Sequence, residues 1–116
     1  MAGKNGIAEK IVTAFEAELD ANGWAKEPHQ SMSLDKYRFR KDKHSIGRRD
    51  PFGVAVYTYH GTIMEVNQTG SVTVKRLPDE FAKKYVEDVP GEPPRRYELE
   101  VLGCMQKAEE LVKRNG

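Results

Sequence analysis

The residues best suited to chemistry are cations concentrated in one stretch of the chain. Between positions 36 and 49 there are seven lysines and arginines and one acid, Asp42, so the local charge is +6 in a chain of net charge +1. Cationic groups at this density are typical of surfaces that bind phosphates or acidic protein side chains. The predicted binding residues in this stretch are Lys36, Arg38, Arg40, Lys43, Arg48 and Arg49.

A predicted strand arranges part of this charge on one side of a sheet. Residues 34–41 alternate, so that Tyr37 and Phe39 point one way and Lys36, Arg38 and Arg40 point the other. The segment 42–52, which contains Gly47 and Pro51, is predicted to be a long polar loop that carries the remaining cations.

Two further predicted strands would extend the patch. Residues 71–77 would present Lys75 beside the arginines, and residues 53–60 would supply Tyr57 and Tyr59 as aromatic platforms. Cations combined with exposed aromatic rings are the surface on which single-stranded nucleic acids bind and stack. The same tyrosines could instead lie beneath a helix as part of the core.

The helices are indicated by apolar residues at helical spacing. Residues 6–22 carry Ile7, Ile11, Phe15 and Leu19 at four-residue intervals, and Asn22-Gly23 followed by Trp24 predicts a Schellman end. A second helix is predicted from Pro78, with a stripe formed by Phe81, Tyr85 and Val89. A third is predicted from Pro94, although residues 96–101 could instead form a fifth strand.

These elements predict one α+β domain over residues 1–116, in the order α-β-β-β-β-α-α. Four strands form an antiparallel meander, joined by short turns such as His60-Gly61 and residues 67–70, with one N-terminal and two C-terminal helices packed on it. The single cysteine, Cys104, excludes an intramolecular disulfide, and the apolar runs are too short to cross a membrane. A cytoplasmic location is the resulting expectation.

No motif predicts a cofactor, a metal site or catalysis. The three histidines, His29, His44 and His60, lack metal-ligand spacing, and no phosphate-binding glycine loop is present. An acid–base site acting on a phosphodiester could only be assembled from dispersed residues, chiefly His44, Asp50, His60 and Glu65, with Arg48 or Arg49 stabilising negative charge.

Two binding functions are favoured, and an enzyme acting on a phosphodiester is the third alternative. The first is a non-catalytic protein-interaction module, such as an adaptor, a chaperone-like protein or an inhibitor, that docks its basic strand and loop on an acidic protein surface. The alternative is nucleic-acid binding by the same patch, with an affinity that falls steeply with salt. A homodimer formed through an uncovered sheet face is compatible with this fold, but no residue pattern specifies it.

Overall fold

Two helices lie on one face of a six-stranded antiparallel sheet in the computed structural model, which describes residues 2–59, 61–76 and 94–115. The elements in chain order are α1 (Ala2–Ala21), β1 (Ala25–Glu27), β2 (Tyr37–Lys41), β3 (His44–Arg49), a 3-10 turn (Pro51–Gly53), β4 (Ala55–Tyr59), β5 (Thr62–Val66), β6 (Val72–Arg76) and α2 (Pro94–Asn115). Each strand pairs with the next in sequence, from β1 to β6. The α+β class and the antiparallel meander are thus confirmed.

The first helix forms as its periodicity predicts, except that Ile7 of the predicted stripe is 41% exposed. Ile11, Phe15 and Leu19 are completely buried. The helix ends in a Schellman motif: Gly23 has φ of 92°, and the amide of Trp24 donates to the carbonyl of Leu19 over 2.9 Å. The buried Trp24 ring joins Leu19 in the core, so the chain turns directly from the helix into β1.

The C-terminal helix is also confirmed, including residues 96–101, for which a strand was the alternative. Tyr97, Val101, Cys104 and Ala108 are buried along one side of α2, which packs against α1. Asn22, which follows the end of α1, lies against the middle of α2, with its Nδ2 3.4 Å from Cys104 Sγ. Among the described residues, neither helix is long and apolar enough to cross a bilayer.

Alternation along the strands separates the two faces of the sheet. The register places Phe39 opposite Ile46 and Tyr57 opposite Met64, and all four side chains are buried beneath the helices. The opposite face carries the arginines of β2. The turn at residues 67–70 forms as predicted, since Gly70 has φ of 91° and its amide donates to the Asn67 carbonyl.

The predicted four strands are wrong in number, because the segment 42–52 is not a long loop. Residues 44–49 form β3, joined to β2 by a two-residue turn in which Asp42 has φ of 54°. The sequence pattern did not indicate this strand, because its inward positions include the polar residues His44 and Arg48 and therefore show no apolar alternation. Both are accommodated by hydrogen bonds within the fold, which compensate for the loss of water.

The additional strand β1 has only three residues, too few to show alternation in the sequence. It pairs with β2 so that Glu27 lies opposite Arg38. The helix predicted from Pro78, with Phe81, Tyr85 and Val89, falls within 77–93, which lies outside the described residues. His60 of the predicted turn is also outside the described residues.

We expect the Phe15→Ala variant to lower the free energy of unfolding by about 3–5 kcal/mol, because it removes a completely buried ring that packs edge-on against Tyr57. Urea denaturation followed by circular dichroism measures the change. The control is Thr13→Ala, an exposed position on the same helix, which should stay within about 0.5 kcal/mol of the parent. Equal effects of the two variants would contradict this placement of α1.

Candidate functional site

The cations predicted to form a binding patch are held by carboxylates of the same chain. Six of the seven, Lys36, Arg38, Arg40, Arg48, Arg49 and Lys75, lie within 4.0 Å of an aspartate or glutamate. Lys43, in the β2–β3 turn, is exposed, and within the described part of the chain no carboxylate pairs with it. The cluster of positive charge seen in the sequence is therefore largely neutralised in the fold.

Glu27 of β1 neutralises both arginines of β2. Its Oε1 accepts from Arg38 Nε over 3.1 Å and its Oε2 accepts from Arg40 Nε over 2.9 Å. Desolvation acts to raise the pKa of Glu27, but the hydrogen bonds from Arg40 and Arg38 outweigh it and hold that pKa below its ordinary value. The acid that neutralises these two arginines lies on β1, a strand that the sequence analysis did not predict.

Two more ion pairs cross between the segment before β2 and the end of β3. Lys36 Nζ contacts Asp50 Oδ2 at 3.0 Å, and Arg49 Nε donates to Asp35 Oδ1 over 2.9 Å. Desolvation acts to raise the pKa of Asp50, and the hydrogen bonds from Lys36 and Arg48 act to lower it. The net result is a pKa below the ordinary value. A side-chain Cβ at Gly47 would lie 2.6 Å from the Asp35 carboxylate, so a larger residue there would have to displace Asp35 from its position beside Arg49.

Arg48 belongs to a polar cluster beneath α1. Its Nη1 donates to Glu16 Oε2 over 2.9 Å and to the Tyr37 hydroxyl, and its Nε donates to Asp50 over 3.0 Å. The same Glu16 oxygen accepts from the Tyr37 hydroxyl at 2.5 Å and the Tyr57 hydroxyl at 2.6 Å. We call Glu16, Tyr37, Arg48 and Tyr57 the Glu16 cluster.

The predicted stacking role of Tyr57 and Tyr59 is not supported, because both rings are buried. Tyr57 hydrogen-bonds Glu16 beneath α1, and the Tyr59 hydroxyl shares a 3.0 Å hydrogen bond with His44 Nδ1. Each ring lies on the strand face that the helices cover and is part of the hydrophobic core, so it is not on the surface. Neither offers a face to a nucleobase.

Of the residues considered for acid–base catalysis, the structure describes His44, Asp50 and Glu65. His44 begins β3 and Asp50 follows its end, so at about 3.3 Å per residue they are roughly 20 Å apart. Glu65 pairs with Lys75 at 3.6 Å. No group of metal-ligating side chains occurs within 2–59, 61–76 and 94–115.

A groove between α1 and the sheet contains two cavities, of about 230 and 440 Å³, on either side of Arg48. Glu9 and Asp50 line the first, and Glu16 and Asp20 line the second. The cations that line them, Arg48 and Lys26, already face Glu16. The groove therefore offers an anionic ligand little uncompensated positive charge.

A different surface stands out at the end of the sheet where β2 begins and β3 ends. Three connections meet there, residues 28–36, 50–54 and 67–71, which we call the loop end. Lys36 N donates to Arg48 O over 2.7 Å, and a Cβ on Gly53 would lie 2.9 Å from Gln68 Nε2, so the connections lie side by side. The apolar side chains exposed on it are Met32, Leu34 and Phe52, at 99%, 80% and 101% of their reference areas.

Phe52 is held in a conformation that is unfavourable for its side chain. It has φ of 54° and ψ of 31°, the left-handed region, which costs a residue other than glycine roughly 1–2 kcal/mol. Met32 also has positive φ, 71°. A fully exposed ring gains no packing within the fold to offset this cost, and such outliers cluster at functional sites.

Sequence reasoning missed both Glu16 and the loop end. Glu16 follows Val12 at four-residue spacing, beside the buried stripe, and that position was the available signal. Phe52 stands between Pro51 and Gly53, and an aromatic residue in a turn was the signal there. In comparisons with known proteins, no family model, no curated protein and no solved structure matches this chain.

We expect Glu16→Gln to lower the pKa of Tyr37, which burial and the hydrogen bond to Glu16 raise from 10.0 to about 12. The fold favours the neutral phenol, so its contribution to stability is complete below pH 10 and is lost as the pH rises from 10 to 12. Carbon NMR of labelled tyrosines, assigned with Tyr37→Phe, measures the pKa. Glu9→Gln, an exposed acid of the same helix, is the control, and a Tyr37 pKa equal in both variants would contradict the cluster.

Proposed function

We propose that this chain is a small non-catalytic protein-interaction module that docks through the loop end. The observation that carries the proposal is Phe52, a fully exposed aromatic residue in a left-handed conformation. The interaction class is the one that the sequence suggested. The docking surface differs from the predicted basic patch, because six of the patch's seven cations are paired within the chain.

Three exposed apolar side chains on adjacent connections suit recognition of a protein. Single exposed apolar residues are common, but Phe52, Met32 and Leu34 extend from the same end of the sheet. An aromatic side chain that enters a pocket of the partner can supply most of the binding energy. Methionine and leucine would fill the surrounding apolar contact.

The polar rim of the loop end defines the partner further. Lys36 and Arg49 are exposed over about half of their side chains, and each pairs with an aspartate, Asp50 or Asp35. Alternating paired charges around an apolar centre fit a partner that offers an apolar pocket with a mixed polar border. A uniformly acidic surface would have to displace these aspartates.

Nucleic-acid binding can be distinguished from this proposal by how its affinity depends on salt concentration. A surface that neutralised about five phosphates would show affinity falling with a log–log slope of roughly −3.5 for single strands. Fluorescence anisotropy with a labelled oligonucleotide at about 50 mM salt detects such binding. Strong, salt-sensitive binding would replace the protein-docking proposal.

We expect Phe52→Gly to raise the free energy of unfolding by about 0.5–1 kcal/mol. Relief of the left-handed strain, roughly 1–2 kcal/mol, exceeds the additional backbone entropy of glycine in the unfolded chain. Phe52→Ala is the matched variant: it removes the ring but keeps the strain, so its stability should remain within about 0.5 kcal/mol of the parent. A loss above about 1 kcal/mol in Phe52→Ala would mean that the ring packs within the fold.

Docking itself is tested by photo-crosslinking from position 52 in cells, followed by purification of the crosslinked partner. In calorimetry the parent chain should bind this partner, and Phe52→Gly should weaken binding about tenfold or more. Leu99→Ala removes an exposed leucine of α2 and serves as the control that should leave affinity unchanged. The proposal fails if Phe52→Gly and Leu99→Ala bind equally well.

A further inference from the structure

We infer that two copies of this chain pair through β6, antiparallel and about a two-fold axis at Val74, and so join their sheets into one. Among the described strands, β6 is an edge that pairs only with β5. It has five residues, three of them β-branched, and contains no proline. A regular edge of this kind is a template for pairing with another strand.

Hydrogen-bonded and non-hydrogen-bonded residue pairs alternate along the β5–β6 hairpin, and this alternation shows which backbone groups of β6 point away from β5. Asn67 N donates to Ser71 O over 2.9 Å, so the polar groups of Ser71 face β5. Because these directions alternate along a strand, Thr73 and Lys75 also face β5, whereas residues 72, 74 and 76 direct their N–H and C=O groups toward the edge with which no other described strand pairs.

The outward backbone groups of one β6 strand can therefore pair with those of a second β6 strand. With two copies antiparallel and centred on Val74, residue 74 lies opposite 74, residue 72 opposite 76, and residue 76 opposite 72. Each pair brings two outward N–H groups to two outward C=O groups, which is the hydrogen-bonded pairing of an antiparallel ladder. A centre at Val72 would overlap fewer residues, so Val74 gives the longest ladder within β6.

The side chains favour the same register. Val74 lies on the helix-covered face, opposite Met64 in the hairpin, yet is 50% exposed, and a second Val74 beside it would cover part of that surface. On the other face Thr73 would lie opposite Lys75 of the second copy. Lys75 already pairs with Glu65 at 3.6 Å, and this register sets neither lysine against the other.

The opposite edge of the sheet is less suited to pairing. β1 has three residues, and its central Lys26 extends over the Tyr37 ring at 4.0 Å from the ring centre. Short strands and lysines are common protections of edges. This contrast favours β6, and the symmetric register, which sets Val74 beside Val74 and keeps the two Lys75 side chains apart, supports a second copy as its partner.

The test uses Val74→Pro, which removes an outward N–H but none of the bonds to β5, so the fold should persist. Sedimentation velocity of the parent chain should give twice the 13.2 kDa of one chain. Val74→Pro should weaken the dimer at least about tenfold, with an unchanged circular dichroism spectrum. A monomeric parent chain, or a folded Val74→Pro variant that dimerises as the parent does, would overturn the inference.

A second measurement decides the matter if Val74→Pro fails to fold. In a Cys104→Ala background, a short bismaleimide should join two copies of the Val74→Cys variant. Lys26→Cys, on the opposite edge, is the matched control and should not be crosslinked under the same conditions, because its two cysteines lie far from the β6–β6 junction. Failure of Val74→Cys to crosslink, or equal crosslinking of the two variants, would also overturn the inference. Phe52 takes no part in either assay, so docking through the loop end can fail independently.

Discussion

The carboxylate of Glu16 is the point at which the first helix is fixed to the sheet. One of its oxygens accepts hydrogen bonds from Tyr37 on β2, Arg48 on β3 and Tyr57 on β4, three consecutive strands. Arg48 is only 13% exposed, and its charge is compensated jointly by Glu16 and by Asp50. The apolar stripe of α1 supplies affinity for the sheet, and this cluster specifies where along it the helix lies.

The same cluster positions the loop end. Arg48 reaches from Glu16 to Asp50, the residue before the turn that carries Phe52, and Asp50 in turn holds Lys36 at the start of β2. The connections that present Met32, Leu34 and Phe52 are therefore attached to the polar cluster under the helix. A surface used for docking benefits from this support, because less conformational entropy is lost when it binds.

The exposed ion pairs of this fold reduce the local charge and contribute little to stability. Exposed ion pairs such as Arg49–Asp35 are typically worth about 0–1 kcal/mol each. Their larger effect is to cancel the field of a stretch with a charge of +6. The acids that do so come from before β2, from β1, from both helices and from the end of β3, so strand pairing and helix packing together bring the charges into contact.

The sequence by itself determined the features encoded in short windows. These are α1 with its glycine-and-tryptophan end, the alternation of Tyr37 with Arg38 in β2, and the buried stripe of α2, because backbone preference and side-chain periodicity act over a few residues. Tertiary structure alone decided that the segment around Ile46 is a strand, that Tyr57 and Tyr59 are buried, that Glu27 neutralises two arginines and that Phe52 is exposed. Each of these depends on which distant residue lies opposite, and burial of His44 and Arg48 is favourable only once partners from other elements satisfy them.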